Sequence, residues 1–193
     1  MMKQVILASS SPRRKKLLSP IIKNLKIVPS SFIENNSEKI YPKKLAEKQA
    51  IGKARDVAKK FKSGIVIGAD AFVVLDGEIL GKPKGKKDAF DMLKKQNGKW
   101  TNVISGVAVI DIDNSKEYVE HEITKVKMND MNDDEIWRYI KTKDPLDKAG
   151  SFGMQDKGAV FVEKINGCYS NVVGLPLPRL RKILKKCGVE VFS

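Results

Sequence analysis

Histidine is almost missing from this chain: His121 is the single one, and cysteine is confined to Cys168 and Cys187. One imidazole excludes a histidine-rich metal site and any catalytic set built from several histidines. Two cysteines provide no disulfide framework, so reduced thiols and a cytoplasmic setting are expected. Aromatics make up only 7% of residues. They form no stripe alternating with basic residues of the kind that binds single-stranded nucleic acid. The longest strongly apolar run, Ile65 to Leu75, is interrupted by Asp70 and is too short to cross a bilayer. The N-terminal residues show one strand's worth of apolar side chains and then a charged cluster, not a signal peptide. A Walker A pattern and a complete GxGxxG after a strand are both absent, which argues against P-loop and Rossmann folds.

What the chain does have is positive charge: 37 Lys and Arg against 23 Asp and Glu, a net +14. That surplus attracts polyanions, including nucleotides, nucleic acid and anionic membrane surfaces, without choosing among them. The length suits a single domain spanning residues 1–193. Strands are expected near 3–8, 25–33 and 64–69, the last continuing into a hairpin that turns at Asp76-Gly77. Longer strands near 101–112 and 117–128 flank Asp113-Asn114, and another hairpin is expected at Asn166-Gly167. Helices are expected from Pro12, over about 42–61 and 86–96, after the N-cap Asn132, and from Pro176 to about Lys186. Helices mixed with hairpins imply an α/β domain with a mixed sheet.

Five places carry candidate chemistry. In "LASSSPRRKKLL", Ser11-Pro12 reads as an N-cap followed by proline at the first helical position. The serines and Arg13 there suit either an anion cradle or a capped basic surface helix. In the 42–61 helix, Lys53 projects from within the apolar face of Leu45, Ala46, Ala50, Ala54 and Val57; it either snorkels or meets an anion. Asp70 ends the buried run Gly64–Ala69 with no turn after it, which points to a metal ligand or base at a strand's carboxyl end. Glu34 interrupts an apolar segment and, paired with Asp70, would give two carboxylates for one hard cation. Lys82 stands on the stiff corner Gly81-Lys82-Pro83. In residues 144–178, Gly150, Gly153 and Gly158 suit close approach of a ligand, and Gln155 offers the amide chemistry that reads a base edge.

Together, Ser9 to Arg14, Glu34, Lys53-Ala54, Gly68-Ala69-Asp70, Gly81-Lys82-Pro83, Ser105-Gly106-Val107, and Asp147 to Gly150 through Gly174-Leu175-Pro176 resemble the Maf family of nucleoside triphosphate pyrophosphatases. The resemblance covers essentially the whole chain, and the Gly150–Pro176 segment is similar to the branch acting on dTTP and UTP. It implies an elongated, twisted mixed sheet flanked by helices, with a ligand cleft between two lobes. It also implies hydrolysis of a triphosphate to its monophosphate and pyrophosphate with Mg²⁺ or Mn²⁺, in a cytoplasmic homodimer. Asp70 falls on the family's proton acceptor, Arg13 and Gln155 on positions tied to substrate choice, and Glu34, Lys53 and Lys82 on its charged pocket residues. Ser9, Ser11 and Ala71 are expected to join Arg13, Lys53, Lys82 and Gln155 in binding substrate, and Glu34 and Asp70 to hold the metal. Ala71 stands where the family usually has threonine, Thr101 where it has histidine, and Ser105 where it has threonine before Gly-Val. The missing hydroxyl at Ala71 points to a broader or shifted base preference. The competing readings are a basic nucleic-acid-binding module and a nucleotide sensor, neither with turnover.

Overall fold

The computed structural model describes residues 3–192, which form one seven-stranded mixed sheet with helices beside it. In chain order the elements are β1 (Val5–Leu7), α1 (Pro12–Leu18), β2 (Lys26–Ile27), α2 (Pro42–Ala58), β3 (Ile65–Leu75), β4 (Glu78–Leu80) and α3 (Lys86–Gln96). They continue with β5 (Trp100–Asp111), β6 (Lys116–Met128), α4 (Asp133–Lys141), β7 (Val162–Asn166), α5 (Tyr169–Val173) and α6 (Leu177–Lys186). Short 3₁₀ turns occupy Asp144–Asp147, Ala149–Ser151 and Lys157–Phe161. The strand order is β2-β1-β3-β5-β6-β7, with β4 on β3. Strand β1 is parallel to β2 and β3, while β4 and β7 run antiparallel to β3 and β6. Among the described residues no helix is long and apolar enough to span a membrane.

The chain divides into two units. The first holds the residues up to Asp70, Ser105–Glu122 and those from Gly174 onward. Side chains alternate across its strands, because successive residues of a strand point to opposite faces. Leu7, Ile65, Ile67, Val107 and Val109 pack with Leu18 of α1 and with Leu180, Ile183 and Leu184 of α6. Ile6, Val66 and Ala108 pack on Ala50, Ala54 and Val57 of α2. Gly68 and Asp70 share parity with Val66, so both belong to the α2 face.

The second unit holds Ala71–Ile104 and Ile123–Val173. Its core joins Val73 and Leu75 of β3 to Leu93 of α3, Val126 and Met128 of β6, and Ile136 and Ile140 of α4. Helix α4 begins as expected at Asn132: its side chain accepts from the Glu135 amide at 3.0 Å, and Glu135 accepts from the Asn132 amide at 2.8 Å. Trp137 stacks on Phe90, ring centroids 4.8 Å apart.

Two expected elements differ. The strand foreseen over 25–33 stops at Ile27. Pro29 cannot donate to a ladder, and Ser30 and Ser31 bond the Asp56 carboxylate instead. Asn166-Gly167 turns no hairpin: β7 pairs back onto β6, and the chain enters the short helix α5. There Thr124 Oγ1 accepts from the Cys168 amide at 3.0 Å and donates to the Cys168 carbonyl at 3.2 Å, tying the corner to β6.

Candidate functional site

Helix α2 lies unusually close to the sheet, and small residues allow it. A Cβ on Gly68 would collide with the Ala50 carbonyl oxygen and stand 2.8 Å from the Ala54 amide. A Cβ on Gly106 would strike the Ala46 carbonyl. Ala46, Ala50 and Ala54 face these two glycines, so backbone meets backbone with no side chain between. This approach brings Lys53, one residue before Ala54, within reach of the α2 face of β3.

Lys53 neither snorkels nor waits for an external anion. Its Nζ donates to Asp70 Oδ1 at 2.6 Å and lies 2.5 Å from Glu34 Oε1. The Lys53 and Asp70 side chains are 9% and 6% exposed, whereas that of Glu34 is 47% exposed. The triad is therefore buried at one end and open at the carboxylate end. Solvent meets the cluster at Glu34.

Arginine completes the cluster. Ser11 caps α1, accepting from the Arg14 amide at 3.4 Å. Arg14 turns inward: its Nε donates to the Gly174 carbonyl at 2.9 Å, and its Nη1 to Ser9 Oγ at 3.2 Å. Buried Ser9 also accepts from the Ser11 amide at 3.2 Å. Loss of water pushes the Arg14 guanidinium below the ordinary arginine value, Asp70 and Glu34 pull it up, and neighbouring Arg13 pushes it down. These mutual fields tie Arg13, Arg14, Glu34 and Asp70 into one electrostatic neighbourhood. Arg13 is half-buried, and Lys15 and Lys16 are exposed surface charge. Arg14 was missed in the sequence, where two adjacent arginines at a helix start give no sign of which one turns in.

Two carboxylates, Glu34 and Asp70, are the side chains here that could face a divalent cation. Among the described residues no group of three or more His, Cys, Asp or Glu side chains could hold a metal. A cation here would draw on Glu34 and Asp70 and take its remaining ligands from phosphate and water, which suits Mg²⁺. Both carboxylates already converge on one cationic centre, the Lys53 ammonium.

The other expected site residues belong to the second unit. Ala71 follows Asp70 on β3, half-buried and without a polar atom in its side chain. Lys82 is exposed on its corner, and Gly81 there accepts from the Gly150 amide at 3.0 Å. Gln155 is half-buried, and its Nε2 donates to Asp156 Oδ2 at 2.6 Å. The glycines expected to admit a ligand admit the protein's own side chains instead. A Cβ on Gly153 would collide with Lys148 Cε, and one on Gly158 would stand 2.5 Å from the Tyr139 hydroxyl.

Lys148 was also missed. It is buried, and its Nζ donates to the Asp144 carbonyl at 2.6 Å, Asp144 Oδ1 at 3.0 Å and Asp147 Oδ1 at 2.9 Å. Asp156 Oδ2 lies 3.6 Å away. Burial pulls the Lys148 ammonium down, but Asp147 and Asp144 together outweigh it and hold it above the ordinary lysine value. Tyr139 donates to Asp144 Oδ2 at 2.7 Å; burial first, then Asp144, holds its phenol well above the ordinary tyrosine value.

Comparison with known proteins finds relatives along the whole chain. A dTTP/UTP pyrophosphatase of Methanosarcina mazei is 50% identical over 193 residues, spanning all of this chain and 98% of that protein. Proteins of the same name from Ruminiclostridium cellulolyticum and Dictyoglomus thermophilum are 49% and 48% identical, each over the full length of both chains. The family model described as "Maf-like protein" matches residues 4–187, and the chain belongs to the Maf family.

Proposed function

We propose that this protein hydrolyses the α–β anhydride of a nucleoside triphosphate, dTTP or UTP as in its relatives, to the monophosphate and pyrophosphate. The observation that carries this reading is the convergence of Glu34 and Asp70 on buried Lys53, beside Arg13 and Arg14. The full-length similarity to dTTP/UTP pyrophosphatases supports it independently.

Asp70 is the base: its carboxylate takes a proton from water as the water oxygen bonds to the α-phosphorus. The bond from that phosphorus to the bridging oxygen breaks, and pyrophosphate leaves with the electron pair. Lys53 holds the Asp70 carboxylate in place through its 2.6 Å hydrogen bond. Arg13 grips phosphate oxygens with its planar fork, and Lys53 and Lys82 act as point charges on the polyphosphate. Arg14 is a positioning residue, fastening the start of α1 to Ser9 and Gly174. Ser9 and Ser11 shape the same turn. Gln155, with Ala71 near the base, governs base choice. Pyrophosphatases of this family depend on a metal in general, and Mg²⁺ or Mn²⁺ held by Glu34 and Asp70 would offset phosphate charge. The same reading has the protein act in the cytoplasm and as a homodimer, and light scattering on the purified chain tests the dimer.

The decisive experiment incubates purified protein with dTTP, UTP, CTP and GTP in Mg²⁺ and measures pyrophosphate. Release from the wild type, reduced at least about 10²-fold in Asp70→Asn with an unchanged circular dichroism spectrum, is the expected result. Tight triphosphate binding without release, or full turnover in Asp70→Asn, overturns it.

A further inference from the structure

Gln155 has a fixed polarity, and its neighbours set it. An ionised carboxylate accepts hydrogen bonds and donates none. The Gln155 side chain meets Asp156 Oδ2 at 2.6 Å, so its amino end must face that oxygen. Its carbonyl end then points the other way. Asp156 is in turn drawn to the buried ammonium of Lys148, at 3.6 Å from the same oxygen.

The Lys148 ammonium is itself anchored. Two hydrogen bonds to Asp144 and one to Asp147 hold it, and its stem fills the space where a Cβ on Gly153 would sit. Tyr139 bonds Asp144 from the other side and closes against Gly158. Residues 153–158, with Gln155 among them, are therefore braced by a charge network whose members need not touch a nucleotide.

We propose that Asp156, held by Lys148, is a positioning residue that presents Gln155 as a hydrogen-bond acceptor and so selects pyrimidines carrying an N3–H. Uracil and thymine have that donor. Cytosine has a lone pair at N3 and would meet the Gln155 carbonyl acceptor to acceptor. The inference rests on the reading of Gln155 as the base-contacting residue of a triphosphate pyrophosphatase. On this reading, discrimination against cytosine does not depend on a hydroxyl at residue 71, so the broader or shifted preference expected from Ala71 is tested by the same ratio.

The test compares kcat/KM for UTP and CTP in the wild type, Asp156→Asn and Asp156→Glu. An asparagine amide can turn either its oxygen or its amino group toward Gln155, which frees Gln155 to flip. The UTP-to-CTP ratio should then fall about tenfold in Asp156→Asn, the size of one hydrogen bond, chiefly through gain on CTP. The kcat for UTP should change little, and Asp156→Glu, which keeps an obligate acceptor, should restore most of the ratio. Lys148→Arg, which keeps the anchoring charge, should retain the ratio as well. An equal loss on both substrates in Asp156→Asn, or a wild type that does not discriminate UTP from CTP, overturns the inference while pyrophosphate release still stands. Absence of pyrophosphate release from any triphosphate by the wild type overturns both.

Discussion

Lys53 and Lys148 are both buried and both surrounded by carboxylates, yet the two clusters are built differently. The partners of Lys53 come from separate parts of the chain, the loop before α2 and strand β3. One of them, Glu34, is half-exposed, and two arginines share the neighbourhood. All the acids around Lys148 come from one local loop, and the ammonium also donates to a backbone carbonyl. On the reading proposed above, the long-range cluster, open at one end and rich in cations, acts on a polyanion. A local one with its donors spent on a loop is arranged to hold that loop still. Buried ion pairs are weak evidence of net stabilisation in either case, but breaking one leaves an unpaired charge and is costly.

The comparison predicts that the Lys53 cluster breaks chemistry first. Beyond Asp70→Asn, the Lys53→Met substitution should lower pyrophosphate release by about 10²-fold or more, as loss of one preorganised donor does. It also leaves Asp70 and Glu34 facing each other, at a cost of about 3 kcal/mol. For a chain of this size that is about 6–12 °C in melting temperature. Mg²⁺ should then raise the melting temperature of Lys53→Met more than that of the wild type, since two carboxylates without an ammonium bind a cation better. Equal shifts in calorimetry would show that these acids do not hold the metal.

Lys148→Met should show the opposite balance. Three aspartates lose their shared partner, and stability should drop by about 3 kcal/mol in urea titrations, Asp147 and Asp156 being exposed enough to be relieved by water. Turnover on UTP measured at low temperature, where the variant is folded, should fall by less than in Lys53→Met. If Lys148→Met stops turnover as fully as Asp70→Asn does, the division between an acting and a bracing cluster is wrong.

The sequence made some of this visible and hid the rest for physical reasons. Local signals were legible: the Ser11-Pro12 start of α1, the Asn132 cap, the Asp76-Gly77 turn, and Lys53 standing out of place on an apolar helix face. Asp70 was legible because a charge inside a buried strand has few structural explanations. The partner of Lys53 was not, since the meeting depends on how closely α2 approaches β3, and that follows from Gly68 and Gly106 packing on alanines far away in sequence. Lys148 was hidden among the other lysines of a basic chain. Gly153 and Gly158 advertised room for something without saying that the occupants were Lys148 and Tyr139. The end of β2 was misjudged because apolar residues after Pro29 look like a strand, while the serine bonds to Asp56 that replace the ladder are not periodic.

A third cluster sharpens the contrast because its least exposed member is the acid. Glu47 of α2 is 16% exposed at the side chain and lies between Lys44 Nζ at 2.9 Å and His121 Nδ1 at 2.6 Å. Burial pushes the Glu47 carboxyl up, but the hydrogen bonds from Lys44 and His121 outweigh it and leave it below the ordinary glutamate value. A group whose folded value is depressed adds stability that is present above its unfolded value and lost as pH falls through the folded one. Urea midpoints of the wild type should therefore decline on the acid side of the glutamate range. Glu47→Gln should start lower at neutral pH and decline less over the same interval, so the two curves approach each other as the medium becomes acidic. The effect is the smallest of those expected, because Lys44 is 63% exposed and its attraction is largely screened by water. Parallel curves would mean that the contact with His121 and Lys44 survives protonation of the acid, and that only clusters with a buried cation carry charge-dependent stability in this protein.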